Sequence, residues 1–192
     1  MNIKKAAMFG LDARIALAIF GALSVISGAA LYSAIKESKL VAFYTTTQEV
    51  IKAMEALYLD TGTLDKYSGN ANCFDVNDLI NDNSNAGWSG PYIAAASATD
   101  DGGGCINLNG IIEDTGSLRI RQMFSEDWAD AANFNGNACD GSKDCSLWIH
   151  YSVTDIDAAE LDKRFDDAEP NKGNIRHTSN NTYLYIKGFN YN

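Results

Sequence analysis

The chain has 192 residues, 25 acidic against 15 basic, and a formal net charge of -10. Nothing in that balance argues for a nucleic-acid partner, whose phosphates demand a basic patch, and the acidity is a matter of solubility. In chain order, Lys4 and Lys5 come first, followed by an uncharged apolar run from Ile15 to Ile35. Its 21 residues, IALAIFGALSVISGAALYSAI, reach roughly 31 Å as a helix, enough to cross a bilayer core. The two lysines ahead of the run keep the amino terminus cytoplasmic and send the remainder outward. A secretory signal has a shorter apolar core ending at a small-residue cleavage site, whereas this run continues into further helix.

From Lys36 the pattern becomes one-sided. Leu40, Phe43, Thr47, Val50, Ile51, Met54, Leu57 and Tyr58 recur every three or four residues, the stripe of an amphipathic helix. Asp60-Thr61-Gly62 supplies the stop, since glycine takes up the C-terminal turn at no steric cost. One helix of about 45 residues is expected, roughly 70 Å long, apolar all round in its first half and leaning on a domain in its second.

After residue 60 the chain turns to short strands and polar loops. Asn, Asp, Ser and Gly crowd 66–72, 81–90, 97–104 and 133–145, as loops do. Strands are expected over 105–112, 118–123, 147–153 and 183–189, with Trp148 and His150 alternating against Leu147, Ile149 and Tyr151. Asp157 and Glu160 have capping-box spacing for a short helix through Phe165, which Pro170 and Gly173 follow. Cys73, Cys105, Cys139 and Cys145 all lie beyond the apolar run, and an even number in an exported domain points to two disulfides. Zinc is the rival, but the sequence holds no Cys-x-x-Cys pair. Of three pairings, Cys73 with Cys105 and Cys139 with Cys145 are expected: the first ties the loops on either side of GWSGPYI, the second closes a short polar loop containing Gly141. The expected fold class is α+β, a long helix laid on a small antiparallel sheet with a disulfide-bonded rim.

Three stretches resemble the type IV pilins and the pseudopilins of type II secretion. MFGLDARIALAIFGALSVISGA at 8–29 is similar to the prepilin amino terminus, EALYLDTGTL at 55–64 to the family's helix exit, and GWSGPYI at 87–93 to its Trp-x-Gly-Pro-Tyr segment. A softer likeness lies in LDKRFDDAEPNKGNIR at 161–176. The resemblance implies a leader over 1–10, a membrane-spanning and filament-core helix over 11–35, an amphipathic half over 36–60 and a pilin head over 61–192. Two cleavage registers are open. A cut after Ala7 makes Met8 the first mature residue, puts the acid Asp12 fifth and places Gly21 at the family's usual glycine. A cut after Gly10 makes Leu11 first and keeps the usual glycine at the leader end, but leaves Ile15 fifth. Arg14 departs from the family in either register, and a guanidinium there needs a carboxylate partner or headgroup depth.

The same resemblance implies a function. The precursor would sit in the inner membrane, be trimmed by prepilin peptidase and N-methylated, and then pass through a pilus or secretion assembly machinery into a helical filament of its own kind, at the cell surface or in the periplasm. Asp12 and Arg14 are the expected assembly charges, with Gly21 and Gly28 as small residues that let helices approach. A type IV pilin is favoured over a secretion pseudopilin because a disulfide-bonded rim suits exposure outside the cell. A membrane-anchored extracytoplasmic binding domain is the remaining alternative. No catalytic residue is assigned, since the sequence has no Gly-x-Ser-x-Gly and its two histidines, His150 on a strand and His177 in a polar loop, lack an evident partner. No cofactor is assigned either. Some pseudopilins hold calcium, and the carboxylates that could do so are Asp100 with Asp101, Asp140 with Asp144, and Asp162, Asp166 and Asp167 with Asn171.

Overall fold

The structure is a computed structural model that describes residues 3–65, 72–82, 84–94, 97–100, 105–109, 115–126, 139–140, 142–154, 156–178 and 183–191. Helix α1 runs from Ile3 to Thr61, 59 residues without a break. It is longer than the apolar run alone implies. Lys4, Lys5, Ala6, Ala7 and Met8 are all strong helix formers and no proline intervenes, so nothing stops the helix from starting ahead of Gly10. It ends where expected: Gly62 takes a φ of +72° and donates its N–H to Tyr58 O at 2.8 Å, the glycine turn that closes a helix.

By compactness the chain divides into two units, Met1–Val41 and Ala42–Asn192. The second begins six residues beyond the expected switch from apolar to amphipathic helix. Within it, Phe43, Thr47, Val50, Ile51, Met54 and Leu57 are buried while Glu49, Lys52 and Glu55 are exposed. The sheet beneath them has the order β3-β4-β6-β5: β3 is Thr115–Phe124, β4 Cys145–Thr154, β5 Ile175–His177 and β6 Tyr183–Tyr191. All neighbouring pairs are antiparallel. A separate ribbon pairs β1, Ser97–Asp100, with β2, Ile106–Asn109.

The register explains the core. Ile120 faces Ile149, Ile149 faces Ile186 and Ile186 faces Ile175, so one row of isoleucines crosses all four strands on one face. Each is at most 1 % exposed, worth about 1.5–3 kcal/mol per side chain in apolar burial. Tyr151 in the next row meets Phe43 of α1, ring centroids 4.7 Å apart, which identifies this as the face that α1 covers. Helix α2, Ala158–Phe165, starts on Asp157 as its N-cap, whose carboxylate accepts the Glu160 N–H. It meets α1 through the stacked rings of Phe165 and Tyr44, 4.2 Å apart.

Several details differ from the alternation pattern. Trp148 and His150 point away from α1, yet they are only 1 % and 2 % exposed, so β4 is buried on both faces at these positions. Trp148 clusters there with Met123 and Tyr185. Strands β1 and β5 were not expected. The expected strand over 105–112 is seen as β2 through Asn109, and its end lies outside the described residues. So do Asp101, Gly141 and most of the loops 66–72 and 133–145. A register shift between Ser146 and Trp148 lets Tyr191 pair with Cys145, and beyond it Phe189 and Tyr191 both lie against Tyr58 of α1, at 6.1 and 5.5 Å.

The disulfides join Cys73 to Cys105 and Cys139 to Cys145, with Cα atoms 5.6 and 5.8 Å apart. This is the expected pairing. The first anchors the segment that closes the β3 edge: Phe74 N–H donates to Ile120 O and Gln122 N–H to Asn72 O, both at 2.9 Å. An edge strand with its backbone groups occupied offers no template for stray pairing.

Candidate assembly surface

The surface with the clearest functional demand is the first part of α1. Leu11, Leu17, Phe20, Leu23, Val25, Ile26, Leu31 and Tyr32 are each more than half exposed, and at 100° per residue they point to every side of the helix. The helix is long and apolar enough to cross a membrane. A soluble monomer rarely shows so much contiguous apolar surface. Of the serines in the apolar run, Ser24 is internally satisfied, as its Oγ donates to Phe20 O at 2.8 Å, which lets a hydroxyl sit in an apolar medium. At Gly10, Gly21 and Gly28 an added Cβ would meet nothing within 4 Å, so the space beside these glycines is open within this chain. Gly21 and Gly28 are seven residues apart and share a face.

Asp12 and Arg14 are both exposed, and neither has a hydrogen bond or ion pair among the described residues. Ala7 and Met8 lie within the helical backbone, and Gly10 and Leu11 are exposed on it.

At the other end of α1 the two motifs flagged separately in the sequence, the helix exit and GWSGPYI, come together. Asp60 accepts from Ser89 Oγ at 2.5 Å and from Tyr92 OH at 2.8 Å. The Ser89 hydrogen bond, then the Tyr92 one, holds its carboxyl below the ordinary range. Trp88 Nε1 donates to Asp78 O at 2.7 Å, and its ring meets Tyr92 edge-on at 5.8 Å. Gly87 has φ +90° and lies so close to Asp60 O that no side chain fits. The segment therefore clasps the last turn of α1. Sequence reading found both partners but not their meeting, because 27 residues separate Asp60 from Gly87 and no local periodicity encodes that contact.

No known protein family, curated protein or solved structure matches this chain.

His177, expected in a polar loop, is in β5, 6 % exposed, with Nε2 3.5 Å from Asp162 Oδ2. Burial raises the Asp162 carboxyl above its usual value. Asp162, Asp166 and Asp167 each place one carboxylate oxygen within 4.8 Å of the others; Asp162 Oδ1 accepts from Ala168 N–H, Asp166 Oδ2 from Ile175 N–H and Asp167 Oδ1 from Glu169 N–H, while the buried Asp162 Oδ2 accepts no hydrogen bond among the described residues and has the His177 ring as its neighbour. Asp140 likewise accepts from Ser142 N–H. His150 stacks on Tyr185 at 4.5 Å with the rings nearly parallel. Burial, then the Arg121 and Arg119 charges, lowers its pKa to about 3.

Proposed function

We propose that this protein is a pilin-like subunit of a helical filament, inserted in the inner membrane as a precursor and packed by its apolar helix into the filament core. One observation carries the reading: a single unbroken helix is apolar and exposed all round over its first part, and one-sided over residues 42–61, where it covers the sheet. An apolar cylinder needs either lipid or many like helices around it. The first describes the stored precursor, the second the assembled fibre, and burial worth ~25 cal/mol per Å² drives the exchange once lipid is left behind. The head needs no rearrangement in that step, because its half of α1 is already locked to β4, α2 and the GWSGPYI clasp.

Prepilin peptidase trimming after Ala7 or Gly10, methylation of the new amino terminus and handover to an assembly machinery belong to the same proposal. The two disulfides favour a fibre outside the cell over a periplasmic one. The test is to shear filaments from cells expressing the protein with its machinery and to identify their components by mass and amino-terminal sequence. The expected result is this chain, beginning at Met8 or Leu11. Recovery of the protein only as a membrane-bound monomer would refute the proposal and favour an anchored binding domain.

A further inference from the structure

We infer that Asp12 and Arg14 link copies of this chain in sequence, Asp12 of one subunit pairing with Arg14 of the next. The inference rests on the filament reading above. Between Lys5 and Lys36 these are the only charged residues. They are two positions apart on a helix, so they project about 200° from one another with a rise of roughly 3 Å, and cannot meet within one chain. The side chains one turn away carry no opposite charge: Met8, Phe9, Ile15 and Ala16 flank Asp12, and Gly10, Leu11, Leu17 and Ala18 flank Arg14; a cut after Ala7 would add the new amine of Met8 as a rival partner for Asp12, and Arg14 would still lack one. Both residues are exposed and make no hydrogen bond or ion pair among the described residues.

While the helix is in lipid this arrangement is tolerable, because both groups lie just ahead of the apolar run, at headgroup depth, and can stay hydrated. Packed among apolar helices they lose that water, and an unpaired buried charge is strongly unfavourable. A second copy resolves both at once. Each subunit carries an acid on one side and a base on nearly the opposite side, so each can give Asp12 to one neighbour and Arg14 to another. Such a contact is heterologous: it uses two different patches, does not close on itself as a two-fold dimer does, and propagates. Gly10, Ala13 and Ala16 around the pair are small, which lets a neighbouring helix come near enough for the carboxylate and guanidinium to touch. The pairing also limits the stagger between adjacent helices to what the two side chains can span.

The experiment uses the full chain expressed with its assembly machinery, with filament yield measured after shearing and with membrane insertion and leader removal followed on the same samples. Asp12→Arg alone and Arg14→Asp alone are each expected to cut yield at least about tenfold, the equivalent of about 1.4 kcal/mol. The double charge swap is expected to restore yield to near wild type. Co-expression of the two single variants is expected to do so as well, because subunits carrying two bases and subunits carrying two acids can alternate. That second rescue is a readout that a purely local role in capping or leader recognition does not produce. Full filaments from either single variant, or no recovery in both the swap and the mixture, would overturn the inference and assign Asp12 to the mature amine and Arg14 to anionic headgroups. Absence of filaments from the wild type itself would instead refute the filament reading.

Discussion

The tie between α1 and the sheet that can be measured most cleanly is Thr47 with Tyr151. Their oxygens are 2.7 Å apart and both residues are 0 % exposed. Thr47 Oγ1 also lies 2.9 Å from Phe43 O, to which it donates. Its single proton is thereby used, so the Tyr151 phenol is the donor to Thr47. Thr47→Val removes the acceptor and leaves a phenol O–H buried without a partner, a loss of about 1–3 kcal/mol. Tyr151→Phe keeps the ring against Phe43 and the Thr47 bond to the backbone, and loses about 1 kcal/mol. The double variant replaces both groups by apolar ones of the same shape and should fall close to wild type. With the double variant near wild type, the two single losses set the coupling expected from the cycle at about 2–4 kcal/mol, at the upper end of the range found for contacting residues. A fragment beginning at residue 36 is the vehicle. It omits the exposed apolar stretch and retains the compact unit Ala42–Asn192. Urea titrations in oxidising buffer, followed by both circular dichroism and tryptophan fluorescence, give the free energies if the two transitions coincide. Each kcal/mol corresponds to roughly 2–4 °C in melting temperature at this size. Losses that simply add in the double variant, within about 0.3–0.5 kcal/mol, would show that no such bond holds helix to sheet.

Two further predictions use the same fragment. His150 is kept neutral, with its pKa down at about 3 against 6.5 for a free imidazole. The groups facing it are Arg119, directly opposite on β3, Arg121 one pair along, and Tyr183 and Tyr185 on β6. Below pH 6.5 the unfolded chain binds a proton that the folded one refuses until about pH 3, so this residue lowers stability as pH falls through that window, by about 2 kcal/mol at pH 5. His150→Phe, which keeps the stack on Tyr185, should remove that loss between pH 7 and 5 as read by urea midpoints; an unchanged pH profile would refute a buried neutral imidazole. At the clasp, Gly87→Ala forces a side chain into the left-handed backbone and against Asp60 O, and should cost about 1–3 kcal/mol. Asp60→Asn tests the same contact by pH. Because the Asp60 carboxyl is held low, its contribution is present above about pH 4 and is lost as pH falls through the folded value, so wild type and variant should converge in acid; a constant gap between them would show that the charge contributes nothing.

Local features of the chain account for much of this molecule. The uncharged run from Ile15, the stripe from Phe43 to Leu57 and the Gly62 stop define α1, because helix periodicity and termination depend only on residues within a few positions. Alternation marks β3, β4 and β6, and Asp157 marks the start of α2. The four cysteines had three ways to pair, and the expected one is present because each pair joins loops that the sheet brings to one place. Packing decides the rest. β1 and β5 are four and three residues long, too short to carry a period of their own, and exist because β2 and β6 offer them a ladder. His177 looked like loop and became a buried neighbour of Asp162 for the same reason. Alternation sets Trp148 and His150 on the second face of β4, and the structure shows that face enclosed there. Alternation tells which residues share a face, while cover over that face comes from segments distant in sequence. Asp60 and the GWSGPYI segment were each conspicuous alone, and their contact follows from the path of the chain around the end of the helix. Asp12 and Arg14 stand at the opposite limit: their isolation as the two charges between Lys5 and Lys36 is fully written in the sequence.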